Sequence, residues 1–600
     1  MKDKIKKFIK KITGTDSNSD NKKSASLEHG GDLTNSKIRK IVESVIEEEI
    51  NFTVEHPTEL SHGDYSTNIA MVLAKGKNAN PRELAEVIVD KIKSKNISDI
   101  EKIEIAGPGF INFYLSKKFF EKSVNQILDS ENDYGKNESL SGKNILIEYT
   151  DPNPFKQFHI GHLMSNSIGE ALSRIFEWNG ANVKRLCYQG DVGQHVAKAI
   201  WGMEKQKEAF PHDTDSIEDK IKFLGDTYAY GASKYEEDEN SKSEINEVNK
   251  KIYNLFNEDV EKDQELKIYY DKGREWSLEH FNDIYKTLGT EFDKFIFESE
   301  VAKIGEEIVR KNTGKVFEMS DGAVVYKGEQ DGLHTRVFIN SIGLPTYETK
   351  DIGLAFLKEE TEKFDKSVIV TASEQSEYFK VVLSALSKID KKVSEKTDHV
   401  SHGMMRFKEG KMSSRTGNVI TGMSLVDSVK ELVDEKVSDR GFNEKQTEEI
   451  KDAVSIGAIK YSILKQSPGK DIIFDPEKSV SFEGDSGPYL QYTFARANSV
   501  LEKSDAKSKV SIPEEWKITD LEKILYRFPE VIENCYSDYS PQNLVTYLTL
   551  VASEFNSFYA NNQILDGGAD QEYKIAITKS VSNILKNGLE ILAIKSPERM

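Results

Sequence analysis

Cysteine is scarce in this chain: 600 residues hold two, Cys187 and Cys535, with no CxxC pair between them. The sequence therefore offers neither a disulfide framework nor a cysteine-held structural zinc, and each thiol is expected to act as a small apolar residue in or near a core. Long apolar runs are also missing. No stretch is long enough to span a bilayer, and the N-terminus lacks the apolar segment of a secretory signal, so a cytoplasmic protein with no membrane contact is expected. Positive charge is in deficit too, with 82 Lys and Arg against 101 Asp and Glu and a net charge of −19. Phosphate affinity comes from lysine and arginine, which argues against nonspecific coating of nucleic acid. Docking of one folded RNA needs only a local basic track, and net charge sums over every face. Six hundred residues are too many for one core and suggest three or four domains.

What is present begins with His159-Ile160-Gly161-His162. These residues follow Ile145-Leu146-Ile147-Glu148-Tyr149, which reads as a buried strand, and precede Ser165 to Trp178, whose apolar spacing reads as a helix. Both histidines thus sit at a strand-to-helix turn. Free backbone N–H groups and the positive helix end attract phosphate there, the imidazoles can donate hydrogen bonds, and Gly161 lets a flat base approach the backbone. Such a pair stabilises charge developing at an α-phosphate. More than two hundred residues later comes Lys411-Met412-Ser413-Ser414-Arg415, in a Gly- and Ser-rich stretch suited to closing over departing pyrophosphate. Either motif alone recurs by chance; together, in this order, they imply a bound nucleoside triphosphate.

The alternation from about Gly142 to Gly422 predicts a doubly wound parallel sheet, interrupted between about Met203 and Gly328 by a Lys/Glu-rich helical stretch. Residues 32–130 alternate helical and strand patterns, with Asn80 placed to cap a helix that Pro81 opens. From Ser424 onward the pattern is almost wholly helical. Residues 1–31 read as a lysine-rich amphipathic leader, carrying Ile5, Phe8, Ile9 and Ile12, followed by a polar linker.

These segments resemble the class I aminoacyl-tRNA synthetases, and within them the arginyl-tRNA synthetase family. The resemblance runs through Gly63-Asp64-Tyr65-Ser66, Gly107-Pro108-Gly109-Phe110, Asp151-Pro152-Asn153-Pro154-Phe155-Lys156, Gly190-Asp191-Val192-Gly193, Leu344-Pro345-Thr346-Tyr347 with Lys350-Asp351, Ser481 to Tyr489, and Pro597-Glu598-Arg599-Met600. It implies an α/β fold: a Rossmann-like catalytic domain at 142–422 with a helical insertion at about 203–328, an N-terminal α+β tRNA-contacting domain at 32–130, and an all-α anticodon-binding bundle at 424–600. It also implies ATP as substrate with Mg²⁺, L-arginine and tRNA(Arg) as partners, a monomer, and activation of arginine as the adenylate before transfer to the tRNA 3′ end. A requirement for bound tRNA in activation is raised by the resemblance alone.

The site residues follow in part from chemistry. Arginine's guanidinium is a planar fork that stays protonated, best recognised by carboxylates beside an aromatic or apolar wall. Asp351 is the leading partner, and Tyr347, four residues earlier, lies beside it if the segment is helical; a surface or capping carboxylate and ordinary packing are the alternatives. By family correspondence Glu148, Asn153 and Gln375 complete the arginine site, while His159, Gly161, His162, Glu374, Lys411, Met412, Ser413 and Ser414 bind ATP. His159, His162, Lys411 and Ser413 carry the chemistry. One departure matters: Ser414 stands where class I loops usually have a second lysine, and Lys156 is the expected source of the missing charge. His195 reads as structural. Among the C-terminal aromatics, Tyr489, together with Arg496, is the expected tRNA contact; Phe482, Tyr492, Phe494, Phe555, Phe558 and Tyr559 read mainly as bundle core. Another class I ligase and a noncatalytic tRNA-binding relative are the competing readings.

Overall fold

The computed structural model describes residues 35–600 apart from 258–259, 409–420, 438–440, 505–506 and 508. The leader and the Lys411 to Arg415 loop therefore lie outside the described residues.

The first unit is an antiparallel sheet of β1 (Val54–Glu55), β2 (Tyr65–Thr67), β3 (Ile100–Ala106) and β4 (Phe110–Leu115) in the order β1-β2-β4-β3, covered by helices. The Asn80 side chain accepts the Arg82 N–H at 3.0 Å and caps the helix Pro81–Lys93. The helix Lys117–Ser130 belongs to two cores: Phe119 and Phe120 pack into the N-terminal unit, whereas Val124, Ile127 and Leu128 pack into the main body.

The central part opens with β5 (Asn144–Glu148), the helix Ile160–Trp178 and β6 (Asn182–Gln189). Four helices follow, Gln194–Lys205, Ile217–Glu237, Glu239–Asn254 and Gln264–Leu288, around a small core that includes Val196, Trp201, Ile245, Ile252 and Trp276. The chain then returns to the sheet as β7 (Lys294–Phe297). This corrects the expected insertion, which ran without interruption to about Gly328. A four-residue strand is too short to show a period-2 pattern inside a Lys/Glu-rich stretch, yet Ile296 and Phe297 are buried and β7 pairs with β6. A second excursion, the helix Glu298–Lys311 and the antiparallel strands β8 (Glu318–Ser320), β9 (Ala323–Tyr326) and β10 (Arg336–Ile339), leads to the helix Tyr347–Glu362. The last sheet strands are β11 (Lys366–Ala372) and β12 (Thr397–His402). All five main strands run parallel in the order β12-β11-β5-β6-β7, so the chain reverses its winding direction between β5 and β11. Ligands in such sheets bind at the carboxyl ends beside that reversal.

Beyond Gly422 the chain is helical, except that β14 (Ile472–Phe474) pairs with β13 (Met405–Phe407), so strand pairing to the central part continues past residue 422. The C-terminal helices share one hydrophobic core with the central sheet: Trp178, Ile459, Phe528, Leu548 and Leu585 belong to the same cluster.

The helices Glu298–Lys311 and Tyr347–Glu362 cross through glycine. A Cβ on Gly305 would run into the carbonyl of Thr349, and one on Gly353 into the carbonyl of Val301. Gly305→Ala is therefore expected to destabilise the protein by about 1–3 kcal/mol, as overpacking does, read as a lower urea midpoint. Gly76→Ala, in a helix with open space around it, should leave the midpoint unchanged or raise it slightly.

Candidate active site

A cavity of about 450 Å³ opens where the five parallel strands end. Its walls take Glu148 from the end of β5, Gly190 from just past β6, Glu298 from just past β7, Ala372 from β11 and His402 from β12.

One half is formed by the two histidines at the start of a helix. His159 occupies the N-cap of the helix Ile160–Trp178 and His162 its third position; their rings stack with centroids 3.6 Å apart. The His159 N–H donates to His162 Nδ1 at 3.2 Å, so the proton of the neutral His162 ring sits on Nε2. Burial pushes both imidazoles below their ordinary pKa, His162 strongly. The pair therefore works as neutral donors beside unpaired helix N–H groups. Lys411, Met412, Ser413 and Ser414 lie outside the described residues, but the chain that follows them is anchored here: Thr421 bridges to His159, and the Gly422 N–H donates to the Phe158 carbonyl at 2.8 Å.

The other half is acidic. Glu148, Asp151, Glu298 and Asp351 all line it. Glu148 is ion-paired with Lys358 and Glu298 with Lys350, each pair almost fully buried. Among the described residues no lysine forms an ion pair with Asp351; the Tyr378 hydroxyl donates to it. Burial, reinforced by Glu148 and Glu298, pushes Asp351 up to about 8. Asp151 is raised by the same causes, burial first and then Glu148, while it accepts the Tyr188 N–H at 2.8 Å. The loop carrying it is tightly constrained: Thr150, Asp151 and Phe155 all have positive φ, at 80°, 46° and 67°, which non-glycine residues adopt at a cost. Asn153 Oδ1 accepts the Gly190 N–H at 3.1 Å and occupies the space a Cβ on Gly190 would need. Four carboxyl groups face two lysines; the two left over, Asp151 and Asp351, are held toward their protonated form, and a cationic ligand would favour their ionised form.

The remaining expected residues are placed as follows. Tyr347 begins its helix, 56% exposed at the cavity wall, with the Lys350 ammonium 4.8 Å from its ring centroid. Asp351 lies one turn on, so the helical expectation for this pair is met. Glu374 and Gln375 line the cavity from the short turn after β11, and Gly161 lines the histidine side. Lys156 stands apart from the others. Its ammonium lies 5.6 Å over the Tyr228 ring of the helical insertion, and the residue is not part of the cavity wall. Its charge nevertheless reaches both imidazoles, helping to lower them. His195 is not in the cavity wall; its Nε2 meets the Gly190 carbonyl at 2.8 Å, and its Nδ1 is buried with no hydrogen-bond partner among the described residues.

Glu298 was not anticipated from the sequence. Its signal was there, a carboxylate directly after Phe295-Ile296-Phe297, in the manner of Glu148 after Ile145-Leu146-Ile147. The Lys/Glu-rich surroundings hid it.

A second cavity, about 830 Å³, lies in the C-terminal bundle and takes Tyr492, Arg496 and Tyr559 into its wall. The Arg496 guanidinium lies 4.9 Å from the Tyr492 ring centroid and 5.4 Å from that of Tyr559, and it donates to Asn556 Oδ1. Tyr489 is not in that wall; its hydroxyl accepts from Asn556 Nδ2 at 3.0 Å. Phe494, Phe555 and Phe558 are core.

Comparison with known families and structures agrees with this geometry. The sequence matches the family described as "tRNA synthetases class I (R), catalytic domain" over residues 123–476, "Arginyl tRNA synthetase N terminal domain" over 32–115, and "DALR anticodon binding domain" over 490–600. Proteins named arginine–tRNA ligase from Treponema denticola and Clostridium kluyveri are 30% and 32% identical, covering 95% and 92% of this chain and 98% of their own lengths. In fold the chain is similar to the arginyl-tRNA synthetase of Thermus thermophilus, with a TM-score of 0.76 at 22% identity over 95% of this chain and all of that one. The Plasmodium falciparum arginyl-tRNA synthetase gives 0.76 at 21% identity, over 94% and 99%.

The raised Asp351 yields a pH prediction. A guanidinium ligand stays charged, so its binding needs the carboxylate form, and affinity for free L-arginine should rise as pH climbs through about 8. Calorimetric titration between pH 6.5 and 9 checks this. In Asp351→Asn the dependence on this group should vanish together with tight binding, while the unliganded fold becomes more stable near neutral pH, because a buried group that favours its protonated form loses stability as pH rises.

Proposed function

The chain belongs to the arginyl-tRNA synthetase family of class I aminoacyl-tRNA synthetases, and from that premise we propose how its cavity performs the reaction. The activity is ATP-dependent attachment of arginine to tRNA. The observation that carries the residue assignment is the surplus of buried carboxyl groups over lysines. Asp351 and Glu298, with Tyr347 as the flat wall, take the guanidinium; Glu148, Asn153 and Gln375 hold the α-amino and carboxylate end. His159, Gly161, His162 and Glu374 hold ATP, with Lys411, Met412, Ser413 and Ser414 completing that site from the loop.

Arginine's carboxylate oxygen attacks the α-phosphorus, the bond to pyrophosphate breaks, and the 3′-terminal ribose of the tRNA then displaces AMP from the mixed anhydride. No side chain becomes covalently attached. The His159–His162 pair donates to oxygens that gain charge as the α-phosphorus is attacked, and positioning supplies most of the rest. Among the described residues no group of three His, Cys, Asp or Glu side chains could hold a metal. Mg²⁺ therefore fits as an ion brought in on the triphosphate with its water shell, neutralising charge there. The C-terminal cavity, with Arg496 between two tyrosines and Tyr489 nearby, is read as the tRNA contact, through stacking on unpaired bases. No described helix is long and apolar enough to cross a membrane; a cytoplasmic location and a monomeric state are part of the proposal.

Aminoacylation assayed across the amino acids, with tRNA present, should give product with arginine alone; charging of another amino acid, or tRNA binding without charging, overturns the reading. Asp351→Ala should lower kcat/KM for arginine by about 10²-fold or more, as loss of a charged hydrogen bond in a buried site does, while the KM for ATP changes little. Lys156 is kept as the replacement for the charge missing at Ser414, reaching the phosphates by leaving Tyr228. Lys156→Ala should then slow pyrophosphate exchange by about tenfold or more, and a rate close to wild type sinks that assignment.

A further inference from the structure

Between Glu148 and Asn153 the chain passes through two consecutive residues of positive φ, Thr150 at 80° and Asp151 at 46°. Neither is glycine, so this backbone is held at a cost and persists only where its surroundings over-determine it. Thr150, Asp151 and Asn153 all line the cavity at the strand ends.

The surroundings belong to the helix Ile160–Trp178. Tyr149, just before the turn, packs so closely on Gly169 that a Cβ there would overlap its ring. The Thr150 N–H donates to Ser165 Oγ at 3.0 Å, and Ser165 Oγ donates to the Val370 carbonyl on β11 at 2.7 Å. Asn166, the next residue, holds the same turn by its side chain: Nδ2 donates to Thr150 Oγ1 at 3.0 Å, while Oδ1 accepts from Thr290 Oγ1 at 3.1 Å. Thr150, Asn166 and Thr290 are all buried. An amide carries donor and acceptor on one planar group, so removing it leaves two buried hydroxyls each short of a partner.

The two residues lead to different places. Ser165 ties the turn back to the sheet. Thr290 directly follows Gly289, the C-cap of the insertion's last helix, so Asn166 ties the turn to the segment by which the chain re-enters the sheet at β7. Asn166 itself is not in the cavity wall and acts through Thr150. We propose that Asn166 is a positioning residue for the amino acid site: bridging Thr150 to Thr290, it holds the Thr150–Asp151 turn at positive φ and thereby sets where Asp151 and Asn153 stand in the cavity. This role rests on the reading that Glu148 and Asn153 hold the α-amino and carboxylate end of arginine.

The test uses arginine- and tRNA-dependent pyrophosphate exchange by the full chain, with KM measured separately for arginine and ATP. Asn166→Ala should raise the KM for arginine by about tenfold, the size of a buried hydrogen bond lost with its partner left unpaired, while kcat and the KM for ATP move by less than about twofold. His162 stands one turn before Asn166 on the same helix, so a general disturbance of that helix would move kcat and the KM for ATP instead. Thr290→Val, which removes only the far end of the bridge and keeps bulk, should raise the KM for arginine in the same sense and add little to Asn166→Ala. Glycine takes positive φ freely. Thr150→Gly placed in Asn166→Ala should therefore recover most of the lost affinity for arginine, measured against Thr150→Gly alone, which a role in fold stability would not produce. A wild-type KM for arginine in Asn166→Ala, equal changes for both substrates, or no recovery with Thr150→Gly overturns the assignment. If Asn166→Ala does not fold, Thr290→Val decides: an unchanged KM for arginine there sinks the proposal. Failure of wild type to turn over arginine would instead overturn the amino acid reading on which the role of Asn166 stands.

Discussion

Four carboxyl groups held out of water, two offset by lysines and two held toward their protonated form, are the constraint around which the catalytic part is arranged. An ionised carboxylate in an apolar interior is costly unless a partner offsets it. This chain concentrates the offsets on one helix. Tyr347, Lys350, Asp351 and Lys358 all belong to Tyr347–Glu362, at spacings that bring them to one side. Lys350 reaches Glu298 beyond β7, and Lys358 reaches Glu148 on β5. The helix thus ties the ends of two sheet strands by buried ion pairs and delivers Asp351 between them without a cation of its own. Its close approach to the helix Glu298–Lys311 requires Gly305 and Gly353 at the crossing. Packing and electrostatics are here one requirement: a helix held further out would separate both pairs and expose Asp351, the carboxyl proposed to meet the ligand.

The sequence made local features plain and left long-range ones hidden. The strand Asn144–Glu148, the turn with its two histidines and the helix after it could be read because periodicity and the strand-to-helix change are contiguous. Asp351 and Tyr347 were legible as a helical pair for the same reason. The partners of Glu148 and Glu298 were not. Lys358 lies 210 residues from Glu148 in the sequence and Lys350 lies 52 from Glu298, and no local pattern encodes such pairings. β7 was missed because four residues carry no usable period, and Glu298 was lost with it. Lys156 shows the opposite case: it is adjacent in sequence to the histidine turn, but the backbone passes through positive φ at Phe155, and its ammonium lies over the Tyr228 ring. The C-terminal aromatics divided as amphipathic helices dictate, with Phe555 and Phe558 turned inward and Tyr559 41% exposed beside Arg496.

The domains do not meet as independent bodies. Glu530, on the C-terminal helix Phe528–Ser537, accepts from the Asn35 N–H at 2.6 Å, from the Tyr65 hydroxyl at 2.7 Å and lies 3.0 Å from His56 Nε2, all three in the N-terminal unit. Tyr526 completes that unit's own hydrophobic core. The N-terminal sheet is therefore seated on the C-terminal bundle through a half-dozen polar and aromatic groups, not through a linker.

The catalytic sheet and the bundle are joined more deeply still. Lys460, fully buried, donates to the carbonyl of Leu288 at 2.6 Å and to that of Ala593 at 2.8 Å. Leu288 ends the last helix of the insertion, and Ala593 follows the last helix of the bundle, so one ammonium satisfies carbonyls at two helix ends that would otherwise go unpaired. Burial lowers its pKa to about 7; the neutral amine still donates, whereas an apolar residue there would strand both carbonyls. A shared core plus such a bond leaves little freedom for the bundle to shift without moving the exit of the insertion. That exit leads through β7 directly to Glu298. The Arg496 cavity and Asp351, the sites proposed for RNA and for arginine, are thereby linked through a short series of packed elements, a route by which binding at one could alter the other.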